Sequence, residues 1–188
     1  MSLIFCTVDR KNRLQSIYSD GMSMRGSDII SSASSKITSF TANGHTVSAG
    51  FCGIAYLNKY MLLHLEDKFT EAVQGDGEIE IILPETLNAL LDDYVELFKT
   101  PKQAPELTDY LSGIIVVDGT IYRMERFENE RWHCMSLGED VTFADGQADV
   151  AARCLLECNV KPRRIVEIIS KFNNCVSGHL TAIENVNY

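Results

Sequence analysis

The chain has 188 residues, of which 45% are hydrophobic and 23% are charged, a balance that excludes a disordered or collagen-like chain and predicts a single domain over residues 1–188. Its formal net charge of −9 argues against nucleic-acid binding as the main function, because acidic surfaces repel phosphate backbones. The apolar start Met1–Cys6 is too short for a signal peptide, and no segment approaches the roughly 20 apolar residues of a membrane helix. We therefore expect a cytoplasmic protein with no membrane partner.

The first strands are predicted close to the start of the chain. Leu3–Val8 and Leu14–Tyr18 are apolar and flank a polar stretch, which predicts a β-hairpin. Ser19–Gly21 has the composition of a turn. Met22–Ser35 is rich in Ser, Gly and Met and predicts irregular chain, with at most a short strand at Ile29–Ile30.

A second hairpin and two helices follow. Lys36–Thr41 and His45–Ala49 are strand-prone and flank Asn43–Gly44, a strong hairpin-turn signal. Ile54–Val73 carries apolar residues at steps of three and four, which predicts a long helix. A second helix is predicted to begin near Pro84, because proline is favoured in the first turn of a helix.

The rest of the chain predicts three more strands, two helices and a last strand. In chain order these are Ser112–Val117, Thr120–Arg126, Arg131–Leu137, Phe143–Cys158, Pro162–Phe172 and Val176–Ile183. Asp118–Gly119 predicts a tight turn that joins the first two of these strands in a hairpin. Consecutive hairpins favour antiparallel sheets, and two sequential helix pairs favour a helical layer on each side of them. The sequence therefore predicts an α+β fold, a four-layer αββα sandwich.

Cysteine and histidine positions give no metal-binding pattern. None of the six cysteines forms a C-x-x-C pair, so reduced and mostly buried thiols are expected. Cys154 and Cys158 are four residues apart and could share one face of a helix, but no further ligand stands at a suitable spacing. The four histidines are isolated in the sequence. We expect neither a metal nor another cofactor.

Several short stretches occur in an order and spacing typical of one family. Ile17–Gly26 contains an Asp-Gly pair followed by a short loop that closes in glycine, and Lys36 stands 16 residues after Asp20. Ala49–Gly53 reads A-G-F-C-G and precedes the first long helix. Two later segments resemble the family's third and fourth helices, namely Ala151–Glu157 and Arg164–Ile168. Over most of its length the chain thus resembles HslV and the proteasome β subunits, which are N-terminal-nucleophile hydrolases.

The resemblance implies a nucleophile at the start of the mature chain. The matching residue is Ser2, which becomes N-terminal once Met1 is removed, and its hydroxyl would attack a peptide carbonyl while its own α-amine takes the proton. Asp20 and Lys36 match the family's orienting carboxylate and tuning ammonium. Gly50 matches the glycine whose backbone N–H binds the oxyanion.

The resemblance also implies a substrate groove and an assembly. Ser23, Met24, Phe51, Cys52 and Gly53 would line the groove, in which an extended peptide could pair as an added strand. The substrate would be a peptide or an unfolded protein. The partners would be further copies of this chain in a ring, and an ATP-dependent unfoldase that feeds the ring.

Some features depart from the family and leave alternatives open. The family carries a Gly-Ser-Gly segment before its third helix, whereas the corresponding Leu137–Thr142 has no such motif. Later supporting residues have no clear match, although Asn173, Asn174 and Ser177 stand nearby. Asp20 and Lys36 could instead form a structural salt bridge at strand ends, and Gly50 could serve an unusual φ. A non-catalytic ring-forming scaffold or assembly protein is therefore the alternative function, and an amidase acting on a small molecule is a third.

Overall fold

The computed structural model describes residues 3–9, 11, 14–25, 28–31, 35–74, 77–97, 111–127, 130–139 and 141–186. The first six strands precede the first helix pair, and they are β1 (Leu3–Asp9), β2 (Leu14–Asp20), β3 (Ser23–Arg25), β4 (Asp28–Ser31), β5 (Ile37–Ala42) and β6 (His45–Cys52). The later elements are α1 (Ala55–Ala72), α2 (Ile79–Leu97), β7 (Leu111–Val117), β8 (Thr120–Arg126), β9 (His133–Gly138), β10 (Phe143–Gly146), α3 (Asp149–Glu157), α4 (Pro162–Ile169) and β11 (Leu180–Val186).

Two antiparallel sheets form the centre of the molecule. The smaller has the strand order β10–β1–β2–β11, and the larger has the order β5–β6–β7–β8–β9. The outer face of the larger sheet packs against α1 and α2, and the outer face of the smaller sheet packs against α3 and α4. The predicted α+β, four-layer αββα sandwich is therefore confirmed.

Apolar side chains fill the space between the two sheets as well as the two outer interfaces. Ile4, Cys6 and Ile17 of the smaller sheet pack in one cluster with Ile114 and Val116 of the larger one. Because the central strands are covered on both faces, their residues are apolar without alternation, and every residue of β7 is buried.

The two tight turns of the larger sheet follow from local sequence. Asn43 and Gly44 have φ values of 49° and 89°, and Asp118 and Gly119 have values of 49° and 86°. Two successive residues with positive φ are what a two-residue turn of the type I′ kind requires, and Asn, Asp and Gly adopt them at the least cost. Both predicted hairpins are confirmed.

Two helices begin at residues other than those predicted. The second helix begins at Ile79 rather than at Pro84, and the N–H of Ile82 already donates to the carbonyl of Glu78. Pro84 thus lies inside the helix, where its ring nitrogen forfeits one hydrogen bond. The third helix begins at Asp149, six residues later than predicted.

The residues placed wrongly in the third helix form the strand β10. Phe143–Gly146 pairs with Leu3–Cys6 of β1, and its first three residues are buried. Pairing with a strand about 140 residues earlier is a tertiary effect that helical periodicity cannot reveal.

The remaining differences are smaller. The strand β4 contains the short strand predicted at Ile29–Ile30, and it pairs with β3, which stands where irregular chain was predicted. Asp20 ends β2 instead of lying in a turn. The last strand begins at Leu180 instead of Val176. Within the ranges given above, no helix is long and apolar enough to cross a membrane.

The antiparallel pairing brings four strand ends to one end of the sandwich. Leu3 stands at the start of β1, next to the end of β2, because Ile4 pairs with Ser19. Ile37 at the start of β5 pairs with Gly50 near the end of β6. The candidate site residues are attached to these four ends.

Candidate active site

Asp20 is a fully buried carboxylate at the end of β2. Its Oδ1 accepts hydrogen bonds from the N–H of Leu3 at 2.8 Å and from Nζ of Lys36 at 2.7 Å. Its Oδ2 accepts from the N–H of Met22 at 2.7 Å and from the N–H of Ser177 at 3.2 Å. Three backbone N–H groups and one ammonium compensate for the loss of water around a buried charge. The carboxylate thereby ties together the start of β1, the end of β2, the start of β5 and the loop before β11.

Lys36 immediately precedes β5, and its side chain is almost fully buried against Asp20. A buried ammonium is stable only with a charged or well-oriented acceptor, and Oδ1 of Asp20 supplies it. The structure therefore brings Asp20 and Lys36 together as the sequence predicted, whereas their roles in a reaction stay predictions.

Ser2 and Met1 lie outside the described residues. Their neighbour Leu3 is the first described residue, and its backbone nitrogen, which forms the peptide bond to Ser2, lies 2.8 Å from Oδ1 of Asp20. The same oxygen lies 2.7 Å from Nζ of Lys36. The beginning of β1 is thus held against the ion pair by a direct hydrogen bond.

Gly50 lies inside β6, between Ile37 of β5 and Ile114 of β7. Its φ is not positive, so the alternative that this glycine serves an unusual φ is wrong. A Cβ at this position would meet Cγ2 of Ile37 at 2.9 Å and two side-chain carbons of Ile4 at 3.1 Å. The glycine is needed because the sheets approach closely here, beside the residues that follow Lys36 and Leu3. Its role in binding an oxyanion stays a prediction.

The predicted groove residues are divided between two strands. Ser23 and Met24 lie in β3, where they pair with β4, and their side chains are outside the described part of the structure. Phe51 points its fully buried ring into the core beneath α1 and α2. The ring therefore faces away from the space between the sheets, and only the backbone of Phe51 is available to pair with a peptide.

Unlike the Phe51 ring, the side chain of Cys52 at the end of β6 is buried between the two sheets. Its Sγ lies 3.9 Å from the carbonyl oxygen of Asp145. Burial raises the pKa of the Cys52 thiol most, the charge of Asp145 raises it further, and the charge of Lys36 lowers it. Cys52 is therefore a protonated thiol within electrostatic reach of both charged groups. Gly53, with φ of 121°, then turns the chain into α1.

Asp145 is a second buried carboxyl at this end of the sandwich, with 5% of its surface exposed. It lies in β10 directly opposite Ile4, and its Oδ1 accepts from the N–H of Gly146 at 2.8 Å. Burial raises the pKa of Asp145, while the nearby Ser112 hydroxyl and the Gly146 N–H lower it by smaller amounts.

A scan against protein-family models and a search of curated proteins find no match for this sequence. Solved structures match it over nearly its full length. HslV from Trypanosoma brucei has a TM-score of 0.62 at 14% identity, covering 98% of this chain and 99% of that one. The Thiobacillus denitrificans BPH has a TM-score of 0.64 at 13% identity, covering 98% and 97%. Anbu (ancestral beta-subunit) from Yersinia bercovieri has a TM-score of 0.65 at 9% identity, covering 98% and 81%.

The chain has the fold of HslV. The resemblance to HslV and the proteasome β subunits is therefore confirmed, and the fold is that of the N-terminal-nucleophile hydrolases. At identities of 9–14% the likeness establishes the fold alone. Activity has to be argued from the site, because one fold hosts many functions.

Within this HslV fold, two residues near the ion pair were not assigned roles from the sequence. Ser177 donates its N–H to Asp20, and its hydroxyl accepts from the N–H of Gly21 at 3.0 Å. Its support acts through a backbone group, which leaves no sequence motif. Asp145 was missed because its segment was assigned to a helix. The residues directly before the third helix are 145–148, not Leu137–Thr142, which includes the end of β9.

Proposed function

We propose that this protein is a peptidase whose nucleophile is the hydroxyl of Ser2, exposed as the N-terminal residue by removal of Met1. The observation that carries the proposal is the chain of contacts from the Leu3 N–H through Oδ1 of Asp20 to Nζ of Lys36. These contacts hold Leu3, the residue that follows Ser2, beside a buried ion pair.

The α-amine of Ser2 would act as the general base. A free α-amine has a pKa of about 7.7–8.0, close to neutrality, so a useful fraction is unprotonated at pH 7. The ammonium of Lys36 would lower that pKa further, because like charges disfavour one another. Asp20 would keep Lys36 in place and leave the net charge of the pair at zero.

The developing oxyanion would be bound by the backbone N–H of Gly50. An oxyanion donor of this kind contributes a factor of about 10²–10³ in rate. The close packing of Gly50 against Ile4 and Ile37 fixes this backbone rigidly, which is what such a donor needs.

The substrate would be a peptide or an unfolded protein in extended conformation. It would pair with backbone groups of Ser23 and Met24 on one side and of Phe51–Gly53 on the other. The Thiobacillus denitrificans BPH was solved in complex with epoxomicin, a peptide epoxyketone, at a TM-score of 0.60 to this chain. That complex supports a peptide-like ligand for a site in this fold.

Copies of this chain would assemble in the cytoplasm into a ring fed by an ATP-dependent unfoldase. The Anbu complex from Pseudomonas aeruginosa, which has a TM-score of 0.62 to this chain, forms a helical assembly. Large apolar side chains are exposed on the outer helices, among them Tyr56, Leu63 and Leu97. Exposed apolar groups on an outer layer support association between copies.

Turnover of a fluorogenic peptide by wild type, Ser2→Ala and Ser136→Ala tests the nucleophile. Ser136 is an exposed serine on β9, far along the chain from the site, and serves as the matched control. We expect Ser2→Ala to abolish turnover and Ser136→Ala to retain it. Equal turnover by wild type and Ser2→Ala would reject Ser2 as the nucleophile.

A further inference from the structure

A pocket of about 300 Å³ lies between α2 and the end of β8, on the outer face of the larger sheet. Its innermost residues are Asn88 and Leu91 of α2 and Arg126 of β8, each with at most 9% of its surface exposed. Val95 extends the apolar side of the pocket toward solvent. This volume is at the lower end of the range for small-molecule sites, which favours a ligand the size of a single amino acid.

Arg126 places a positive charge at the bottom of the pocket. Only 4% of its surface is exposed, and burial lowers the pKa of its guanidinium. An anion within hydrogen-bond distance stabilises a buried cation of this kind. A guanidinium has five N–H donors, more than the two that one bidentate carboxylate takes, so it can bind a further carboxylate beside an existing partner. The bottom of the pocket therefore suits one carboxylate of a ligand.

Two carboxylates stand at the mouth of the pocket. Asp92 lies 3.4 Å from Nη1 of Arg131, and Glu130 lies 3.5 Å from Nε2 of His133. Both distances are long for charge-assisted contacts, and both carboxylates are more than half exposed. Exposed pairs of this kind contribute little to stability, so either carboxylate can turn to a new cation at small cost. The mouth of the pocket therefore suits an ammonium.

The charges along the pocket match a zwitterion that enters with its carboxylate first. An apolar side chain of the ligand would then lie against Leu91 and Val95, where its burial is favourable. A nucleotide or another polyanion would be repelled by Asp92 and Glu130. An amine without a carboxylate would be repelled by Arg126.

We propose that this pocket binds a free α-amino acid with an apolar side chain. The carboxylate of the amino acid contacts Arg126, and its ammonium contacts Asp92 and Glu130. The inference stands apart from the proposed reaction, because its test measures binding and needs no turnover.

Equilibrium dialysis of the full chain with radiolabelled L-leucine measures this binding. We expect saturable binding of one leucine per chain. Unlabelled leucinamide lacks the carboxylate, and N-acetyl-leucine lacks the ammonium and resembles the C-terminal residue of a peptide. Each should compete about tenfold or more weakly than unlabelled leucine, because each loses one charge-assisted contact.

Two variants place the binding in this pocket. Arg126→Met keeps most of the side-chain length and removes the charge at the bottom. Asp92→Asn/Glu130→Gln removes both charges at the mouth, and because these residues are exposed it remains a test if Arg126→Met folds poorly. We expect each variant to bind leucine about tenfold or more weakly than wild type.

The matched controls make the same changes at exposed residues that do not line the pocket. Arg163→Met of α4 and Asp67→Asn/Glu85→Gln of α1 and α2 should bind leucine as wild type does. Absence of saturable leucine binding to wild type, or equal binding by wild type and Asp92→Asn/Glu130→Gln, would overturn the proposal. Equal competition by N-acetyl-leucine would also overturn it, and would indicate a peptide C-terminus as the ligand.

Discussion

Asp20→Asn should destabilise the fold strongly, because it leaves Lys36 as a buried ammonium without a counter-charge. The substitution is nearly isosteric, so no cavity contributes. Removing one partner of a buried ion pair costs about 3–5 kcal/mol. In either orientation of the asparagine side chain, its NH2 group would also face hydrogen-bond donors, because each oxygen of Asp20 accepts two hydrogen bonds. We therefore expect a loss of about 3–5 kcal/mol in the free energy of unfolding.

Urea unfolding followed by circular dichroism measures this loss, and the double variant Asp20→Asn/Lys36→Met separates its cause. The double variant lacks the unpaired ammonium and should be more stable than Asp20→Asn alone, with an interaction energy of about 2 kcal/mol or more. The matched control is the half-exposed pair Lys68–Asp93, joined at 3.0 Å, for which the same cycle should give under about 1 kcal/mol. A cost below about 1 kcal/mol for Asp20→Asn would refute the account of the buried pair.

Three further predictions concern the same end of the sandwich. Gly50→Ala should lower the free energy of unfolding by about 1–3 kcal/mol in urea, because the new methyl overlaps Ile37; an unchanged midpoint would contradict the close approach. Ser177→Ala should cost about 1 kcal/mol by the same assay, since the Gly21 N–H keeps a second acceptor, and should slow peptide turnover; full activity would remove Ser177 from the site. Burial raises the pKa of Asp145 in the folded state above the ordinary aspartate value near 4. Ionisation of this carboxyl therefore lowers the free energy of unfolding as the pH rises above about 4. Asp145→Asn should therefore have a higher melting temperature than wild type at pH 7 and lose that advantage below about pH 4. A lower melting temperature for Asp145→Asn at pH 7 would contradict the raised pKa of Asp145.

The parts of the fold that the sequence predicted are those set by local chemistry. The turns at Asn43–Gly44 and Asp118–Gly119 follow from residues that tolerate positive φ. The helix α1 follows from apolar residues at helical spacing, and Leu57, Met61 and Leu65 are indeed buried on one face.

The parts that were mispredicted depend on distant contacts. Phe143–Gly146 becomes a strand only because β1, from the other end of the chain, pairs with it. Pro84 is tolerated inside α2 because the buried residues around it, such as Leu83 and Leu87, hold the helix in place.

The candidate site divides in the same way. The spacing of Asp20 and Lys36 was visible in the sequence, and their contact is present in the structure. The contribution of Ser177 is made by a backbone N–H, and Asp145 reaches the site through a strand that no local pattern predicts. Neither could be found without the tertiary arrangement of β1, β2 and β10.

The intact mass of the purified protein, before and after incubation with epoxomicin, tests the central claim most directly. The proposed reaction predicts a chain that lacks Met1 and gains one epoxomicin, because the ketone takes the hydroxyl of Ser2 and the epoxide takes its α-amine. The Ser2→Ala protein should gain none. Full retention of Met1, or an equal adduct on Ser2→Ala, would contradict an N-terminal serine nucleophile.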